Sequence, residues 1–445
     1  MRKHIIPVLI LATPFSVAHA SFEKSISWSG RYSGIAGITA GNVEGAQSLF
    51  FNPAGAAGKQ GLEIDLNGSP TWVTYKGPIV PNSATDLTTG PQLTSTTATA
   101  PYAGFHATYG ITPQWAVGAG LGVVGGSRAK FSSVDFSALA PTFTLKPDIK
   151  NELTFTEWDI GSAYEVMPGL KIGATWRISR FTGDAAVASV LPASTFSNAY
   201  GATSSLYAAQ ISDISATRYN GFRFGAQYAP SKDWGIGASW RTTVDFVGKG
   251  TSKGQLDPSA TSAFNTTGDP VDLTGGDATL AVSLPQQFQL GGYYDLAPQK
   301  IAFFGQVDWT QYHRDQNLIV EGAPNPGQVL PGQATQTTLS TPLNYNNIWT
   351  FRVGGEYTGI ESWALRAGYF HSTQGTPNTY AKANAIAPGA GNGFQVGGGK
   401  QINDWIRADG AFEYAWATGQ GESPALTGDY STSAIAAHLG VSMTF

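Results

Sequence analysis

The chain has 445 residues, yet only 13% are charged, about half the usual fraction for a soluble protein. Aromatic residues reach 12%, glycine numbers 55, cysteine is absent and the formal net charge is −4. This balance carries no basic signature for nucleic acid and leaves no disulfide framework to hold an exported fold.

The first twenty residues read as a secretory signal peptide. Arg2, Lys3 and His4 form a basic start, an apolar run extends from Ile5 to Val17, and Ala18-His19-Ala20 matches a small-x-small cleavage site. Beyond it no stretch of about 18 apolar residues occurs, so no membrane-spanning helix is expected. An exported chain that is poor in charge, rich in Gly and aromatics and without such helices fits a transmembrane β-barrel.

Residues 21–58 do not alternate. They are rich in Gly, Ala and Ser and end in Ser48-Leu49-Phe50-Phe51-Asn52-Pro53-Ala54-Gly55. The segment is too apolar for a free linker, and its small residues suit close packing inside a tube. It is expected to plug the lumen as a hatch, with residues 59–445 forming the barrel.

From there the pattern has period two, which sends successive side chains to opposite faces of a strand. Fourteen strands are expected near 61–76, 101–110, 114–131, 151–166, 169–190, 204–229, 233–250, 276–296, 299–322, 342–357, 361–373, 392–401, 404–418 and 431–445. Trp349, Phe351, Val353 and Tyr357 share one face of their strand, while Thr350, Arg352, Gly354 and Glu356 share the other. An even number of strands, aromatics near strand ends and ionised residues on the second face point to a closed membrane barrel with a wet lumen. Short links such as Ala229-Pro230-Ser231-Lys232-Asp233 read as periplasmic turns. Longer Ser/Thr/Pro/Gly-rich stretches near 77–100, 132–150, 251–275, 322–341, 374–391 and 419–430 read as outer loops. The last strand places Ile435, Ala437, Leu439, Val441, Met443 and Phe445 at every second residue, and an end on Phe is familiar from bacterial outer-membrane barrels.

Phe51-Asn52-Pro53-Ala54-Gly55, preceded by the small-residue run from Gly30 to Ala46, resembles the FadL family of outer-membrane transporters for long-chain fatty acids and other hydrophobic compounds. Leu284-Pro285-Gln286-Gln287-Phe288, Asp308-Trp309-Thr310-Gln311-Tyr312, Leu365-Arg366-Ala367-Gly368-Tyr369 and the closing strand extend the likeness over nearly the whole mature chain. It departs at Asn42-Val43-Glu44-Gly45-Ala46-Gln47, where the family is often more acidic. The resemblance implies a fourteen-stranded barrel, an N-terminal hatch and an inward kink in the third strand that opens the wall sideways. In this chain that strand is 114–131, and Gly125-Gly126 is the expected site of the kink.

The implied function is passive carriage of fatty acids, aromatic hydrocarbons or detergent-like molecules across the outer membrane. The expected surroundings are lipid and lipopolysaccharide, and the expected state is a monomer. Asn52, Pro53 and Ala54 are expected at the moving part of the hatch, with Asn52 bonding backbone groups freed by the kink. Phe136, Leu139 and Phe143 in an outer loop are expected to form an exposed capture groove. Arg180 looks like the family's carboxylate-contacting arginine, and Arg177 and Arg314 are further candidates for an acid head group. An enzyme is disfavoured: His106, His313, His371 and His438 enter no nucleophile–base constellation, and no metal or cofactor motif occurs. The inward charges Arg223, Arg241, Arg352, Arg366, Asp409 and Glu413 leave a general porin for polar solutes as the alternative.

Overall fold

The computed structural model describes residues 29–191, 204–259, 267–314 and 317–445. The expected signal peptide and the first residues of the hatch lie outside them.

The fourteen expected strands are present. They are β1 (Gly61–Pro78), β2 (Ala98–Gly110), β3 (Trp115–Phe131), β4 (Ile149–Met167), β5 (Leu170–Leu191) and β6 (Ser205–Tyr228). Four strands then come in two pieces each: β7 (Trp234–Arg241 and Val244–Pro258), β8 (Val271–Leu284 and Gln287–Leu296), β9 (Ile301–Thr310 and Asn317–Pro324) and β10 (Gln336–Pro342 and Ile348–Tyr357). The last are β11 (Trp363–Ser372), β12 (Gly391–Asn403), β13 (Ile406–Gly421) and β14 (Gly428–Thr444). Sequential strands pair antiparallel, and β14 closes on β1 from Glu63↔Thr444 to Lys76↔Ser431. Closure removes the sheet edges, so backbone groups are satisfied between strands where no water is available.

Alternation sorts the two faces as the sequence predicts. On β10, Phe351 and Val353 are exposed, whereas Thr350 and Arg352 are buried. The outward aromatics gather into two bands. Phe224, Trp240, Phe288 and Trp309 form a contiguous row, with ring centroids 5.6–5.9 Å apart. Trp234, Tyr357, Trp363 and Trp405 mark the ends beside the short turns. Amphipathic rings at both margins of an apolar band are the girdle of a membrane barrel.

The interruptions at 242–243, 285–286, 311–314 and 343–347 fall at one level, just beyond the upper aromatic row. The period-two pattern predicts each of these strands without a break. The outer ends also reach further than expected, to Pro258 on β7 and from Gln336 on β10.

Candidate functional site

The hatch consists of two short helices, α1 (Gly30–Ser33) and α2 (Ser48–Phe51), and a 3-10 turn over Pro53–Ala56. The Ser29 hydroxyl accepts from the Tyr32 amide, and the Asn52 side-chain oxygen accepts from the Ala54 amide at 3.2 Å. Proline at the first position of a helical turn sacrifices no bond, because that N–H has no partner in the turn. The hatch buries its own small apolar cluster, in which Phe50 meets Phe51 edge-on at 4.9 Å.

A belt of inward glycines lets the hatch fit. A methyl group on Gly225 would lie 1.8 Å from Asn52 Oδ1, and one on Gly237 would lie 2.1 Å from the Ala40 carbonyl. Methyl groups on Gly173, Gly354, Gly368 and Gly397 would lie 2.5, 3.0, 2.4 and 3.1 Å from Pro53, Ile35, Ala36 and Gly34. Between these contacts, wall side chains bond the hatch backbone. Gln306 Oε1 accepts from the Thr39 and Ala40 amides, both at 2.8 Å. Arg352 donates to the Ala36 carbonyl at 2.8 Å, Arg223 to that of Leu49 at 3.1 Å and Gln227 to that of Val43 at 3.1 Å. Asp65 accepts from the Gln47 amide at 2.9 Å.

Asn52 is fully buried, and its amide donates to Ala40 O at 2.6 Å and to Ala226 O and Ala238 O at 3.2 Å each. Its wall partners therefore lie on β6 and β7. This corrects the expectation that Asn52 serves backbone groups freed by a kink in the third strand.

The inward charges that suggested a polar pore are buried. Arg352 pairs with Asp308 at 2.8 Å, Arg366 with Glu356 at 2.6 Å and with Asp409 at 2.7 Å, and Arg177 with Glu157. His106 faces Asp159 at 3.3 Å with both side chains buried, and His438 Nδ1 shares a hydrogen bond with the Ser69 hydroxyl at 2.7 Å. A belt of paired ions and hatch anchors thus occupies the lumen where a porin would hold open water.

Toward the outside the lumen turns apolar. Phe155, Phe181 and Phe246 stack with centroids 5.1–5.9 Å apart inside a large cluster that includes Ile211, Leu280 and Val320. A second cluster joins Val73, Tyr75 and Phe131 to loop residues Ile79, Val80, Phe136, Phe143 and Ile386. Phe136, Leu139 and Phe143 were expected to stand exposed as a groove. They are instead 2%, 9% and 5% accessible and packed into the barrel mouth, because three large apolar side chains gain more by joining the lumen cluster than by facing water.

The wall has a gap beside these clusters. β2 pairs with β3 from Gly110↔Ala116 only as far as Gly104↔Gly122. Above that point the one remaining bridge is Thr96↔Lys130. Over the same span β2 stays on β1 up to Ala98↔Val73, and β3 stays on β4 up to Phe131↔Ile149. Residues 97–103 and 123–129 therefore face one another without a ladder over roughly 20 Å, at about 3.3 Å per residue. A register shift between Val123 and Gly125 adds one residue to β3 here. That residue, Val124, packs against both the upper lumen cluster and the hatch cluster. Gly126 needs its missing side chain, since a methyl group would lie 2.6 Å from the Leu153 carbonyl. The Arg128 guanidinium reaches across to the Thr99 carbonyl at 2.9 Å. Unpaired backbone at membrane depth persists only where protein or a cavity covers it, and here Tyr102, Val124 and the hatch lie behind it.

None of the three candidate arginines presents a bare guanidinium to the lumen. Arg177 is buried against Glu157, Arg314 sits at the surface bonded to Asp245 at 2.9 and 3.0 Å, and Arg180 is exposed between buried Ser179 and Phe181 and so faces outward. An unforeseen interior cation is Lys382, in the outer connection before β12. Its ammonium donates to the Pro342 carbonyl at 3.1 Å and reaches that of Tyr380 at 3.5 Å, with no carboxylate in ion-pair range among the described residues. Burial holds its pKa down to about 8. No sequence signal marks it, because one lysine in a Gly/Ala/Asn/Pro-rich loop reads as solvated. Among the described residues no cluster of His, Cys, Asp and Glu could hold a metal ion.

Residues 9–445 match the family model described as outer membrane protein transport protein (OMPP1/FadL/TodX). The outer membrane protein NMB0088 of Neisseria meningitidis serogroup B is 24% identical over 420 residues, covering 88% of this chain and 85% of that protein. The Pseudomonas putida toluene transporter TodX superposes with a TM-score of 0.73 at 17% identity, covering 95% of this chain and 99% of TodX. The Ralstonia pickettii toluene transporter TbuX gives 0.68 at 18% identity, with the same coverage. A Pseudomonas aeruginosa FadL homologue gives 0.69 at 16% identity, covering 98% of this chain and all of that one. The plugged fourteen-stranded barrel and the full-length match together assign this chain to the OMPP1/FadL/TodX family of outer-membrane transport proteins.

Proposed function

We propose that this protein carries hydrophobic small molecules passively across the outer membrane and releases them sideways through the gap between β2 and β3. The observation that carries this reading is where the gap opens. Its own residues Ala129, Tyr102 and Val124 belong to or pack on the apolar clusters of the lumen. The axial route is closed by the hatch and its ionic anchors. An apolar solute gains about 0.8 kcal/mol for each CH₂ it buries, and would forfeit that gain on entering the ion-paired belt. Lateral exit avoids the belt.

Entry requires Phe136, Leu139 and Phe143 to part at the mouth. The solute then lies among Phe155, Phe181 and Phe246. Passage follows when the hatch shifts near Asn52-Pro53-Ala54 and the bulge at Val124-Gly125-Gly126 relaxes outward. TodX and TbuX are toluene transporters; this chain offers the same class of cargo an apolar path. A carboxylate-headed cargo would meet its counter-charge at Lys382. The protein acts as a monomer, since the exit is built within one barrel, and it needs no cofactor.

The test is a hatch locked to the wall. A Cβ on Gly354 would stand 3.0 Å from that of Ile35, so the two need part by only about 0.5–1 Å to reach the separation a disulfide spans, and the chain has no cysteine to compete. Oxidised Ile35→Cys/Gly354→Cys protein should lose uptake of toluene and hexadecanoate, and reductant should restore it. Equal uptake in the oxidised and reduced forms would refute hatch movement.

A further inference from the structure

The interruptions in β7 to β10 leave a second opening in the wall. Pairing of β8 with β9 stops at Ala281↔Ile319 and resumes at Gln287↔Thr310. Pairing of β9 with β10 stops at Asn317↔Pro342 and resumes at Thr310↔Ile348. A cavity of about 240 Å³ lies in the break. Its inner lining is Phe246, Val282, Tyr312, Leu318, Leu343 and Tyr345, all buried members of the upper lumen cluster. Its rim includes Asp245 and Val247, which face outward from β7. The cavity therefore opens on the outer surface of the barrel and is floored by the packed apolar interior.

Its height is set by the aromatic row beneath it. Trp240 and Phe288 stack at 5.6 Å with an interplanar angle of 4°, and Trp309 continues the row. Such a row marks the margin of the apolar membrane slab, so the rim lies at the outer interface. Arg314 donates two bonds to Asp245 there, at 3.0 and 2.9 Å, with side chains 38% and 62% accessible. A solvated, screened pair of this kind holds weakly and opens readily.

We propose that this cavity is a second binding site, for one neutral ring-sized apolar molecule, loaded from the outer membrane interface past the Arg314–Asp245 pair. Size selects the class. A cavity of about 150 Å³ lined by Leu, Ile and Phe holds one benzene, so this one accommodates a ring with a short substituent and excludes a long acyl chain. Shape agrees, because Tyr312 and Tyr345 meet edge-on at 6.3 Å and offer faces and edges to a flat guest. Charge agrees as well. Asp245 at the rim repels a carboxylate, and the nearby cation is already paired with it.

The site goes beyond the exit route proposed above and stands or falls separately from it. The experiment is ¹⁹F NMR titration of the purified full chain with fluorobenzene, accompanied by anomalous diffraction from crystals soaked in bromobenzene. The expected bromine peak lies between Phe246, Val282 and Tyr345. Val282→Phe and, independently, Leu318→Phe fill the cavity and should weaken fluorobenzene binding at least about 10-fold, the equivalent of 1.4 kcal/mol. Asp245→Asn should speed exchange and leave the bromine position unchanged. Saturating hexadecanoate should not displace the ring, and binding should persist in the oxidised Ile35→Cys/Gly354→Cys protein, whose hatch cannot move. Unaltered affinity in both filled variants, displacement by hexadecanoate, or bromine found only elsewhere would overturn the proposal.

Discussion

The two halves of the lumen solve the same packing problem with opposite chemistry. In the periplasmic half the wall is glycine and paired ions, and the space is filled by the hatch backbone. In the outer half the wall is Phe, Leu, Ile and Val, and the space is filled by other apolar side chains, including those of inward-folded loops. Hydrogen bonds to a backbone are directional, so the lower half holds its plug in one position. Apolar contacts are not directional, so the upper half can exchange a side chain for a solute of similar bulk. In the proposed transport cycle a barrier and a binding chamber share one cylinder, and the β2–β3 gap lies where they meet.

Removing an anchor should break this division most severely. Arg352→Met loses the bond to the Ala36 carbonyl and leaves buried Asp308 with the amides of Gln289 and Gln306 but no cation. Breaking a buried pair in this way costs about 3–5 kcal/mol. The hatch should loosen, and planar-bilayer recordings should show channel openings absent from the parent protein. A barrel that stays closed would mean that the ionic anchors are dispensable.

A cut in the apolar half should act differently. Phe181→Ala removes the ring between Phe155 and Phe246. Large-to-small changes of this kind cost about 3–5 kcal/mol of stability in a well-filled core. If the chamber is built to take a guest, the loss should be smaller in the presence of toluene, read as a rise in melting temperature on its addition that exceeds the parent's. The barrel should remain non-conducting.

Crowding the glycine belt should have a middling effect. Gly225→Ala pushes against Asn52 and Pro53, and overpacking typically costs about 1–3 kcal/mol. Hydrogen exchange in residues 49–56 should accelerate about 10-fold or more while the strands keep their protection.

The most local effect belongs to Lys382. Its pKa is depressed to about 8, so the folded loop gives up the proton before the unfolded chain does. The unfolded lysine stays protonated to about 10.4 and binds more protons in between, so stability of the mouth loop rises with pH from about 8 to about 10. Proteolysis of residues 374–391, normalised to the unfolded chain at each pH, should slow across that window. Lys382→Met should abolish the dependence. The same variant separates cargo classes, since hexadecanoate uptake should fall while toluene uptake is kept.

Much of this architecture was legible in the sequence, because alternation reports which way each side chain points. Strand number, the lipid-facing aromatics and the inward Arg177, Arg223, Arg352 and Arg366 follow from it, whereas Arg314, which the same pattern turns inward, stands at the surface. The small-residue run to Ala46 drew attention to the hatch segment, and the pair Gly125-Gly126 lies just beyond the register shift at Val124. Alternation does not report height or partner. It could not tell that Arg177 and Arg352 would be spent on Glu157 and Asp308, nor that four strands would break at one level. Nor could it reveal that Phe136, Leu139 and Phe143 fold inward, since an apolar loop reads the same whether it meets solvent or lumen. The glycine belt was visible as composition, but its purpose appears only when the hatch backbone is seen against it.

The central claim is sideways release, and closing the gap tests it most directly. Thr99 and Arg128 face each other across it, and cysteines at both can be joined by a short bifunctional thiol reagent in this cysteine-free chain. Uptake of toluene by cells carrying Thr99→Cys/Arg128→Cys should stop when the reagent bridges the pair and continue when each thiol is capped singly. Full uptake through the bridged barrel would place the exit elsewhere and contradict the account.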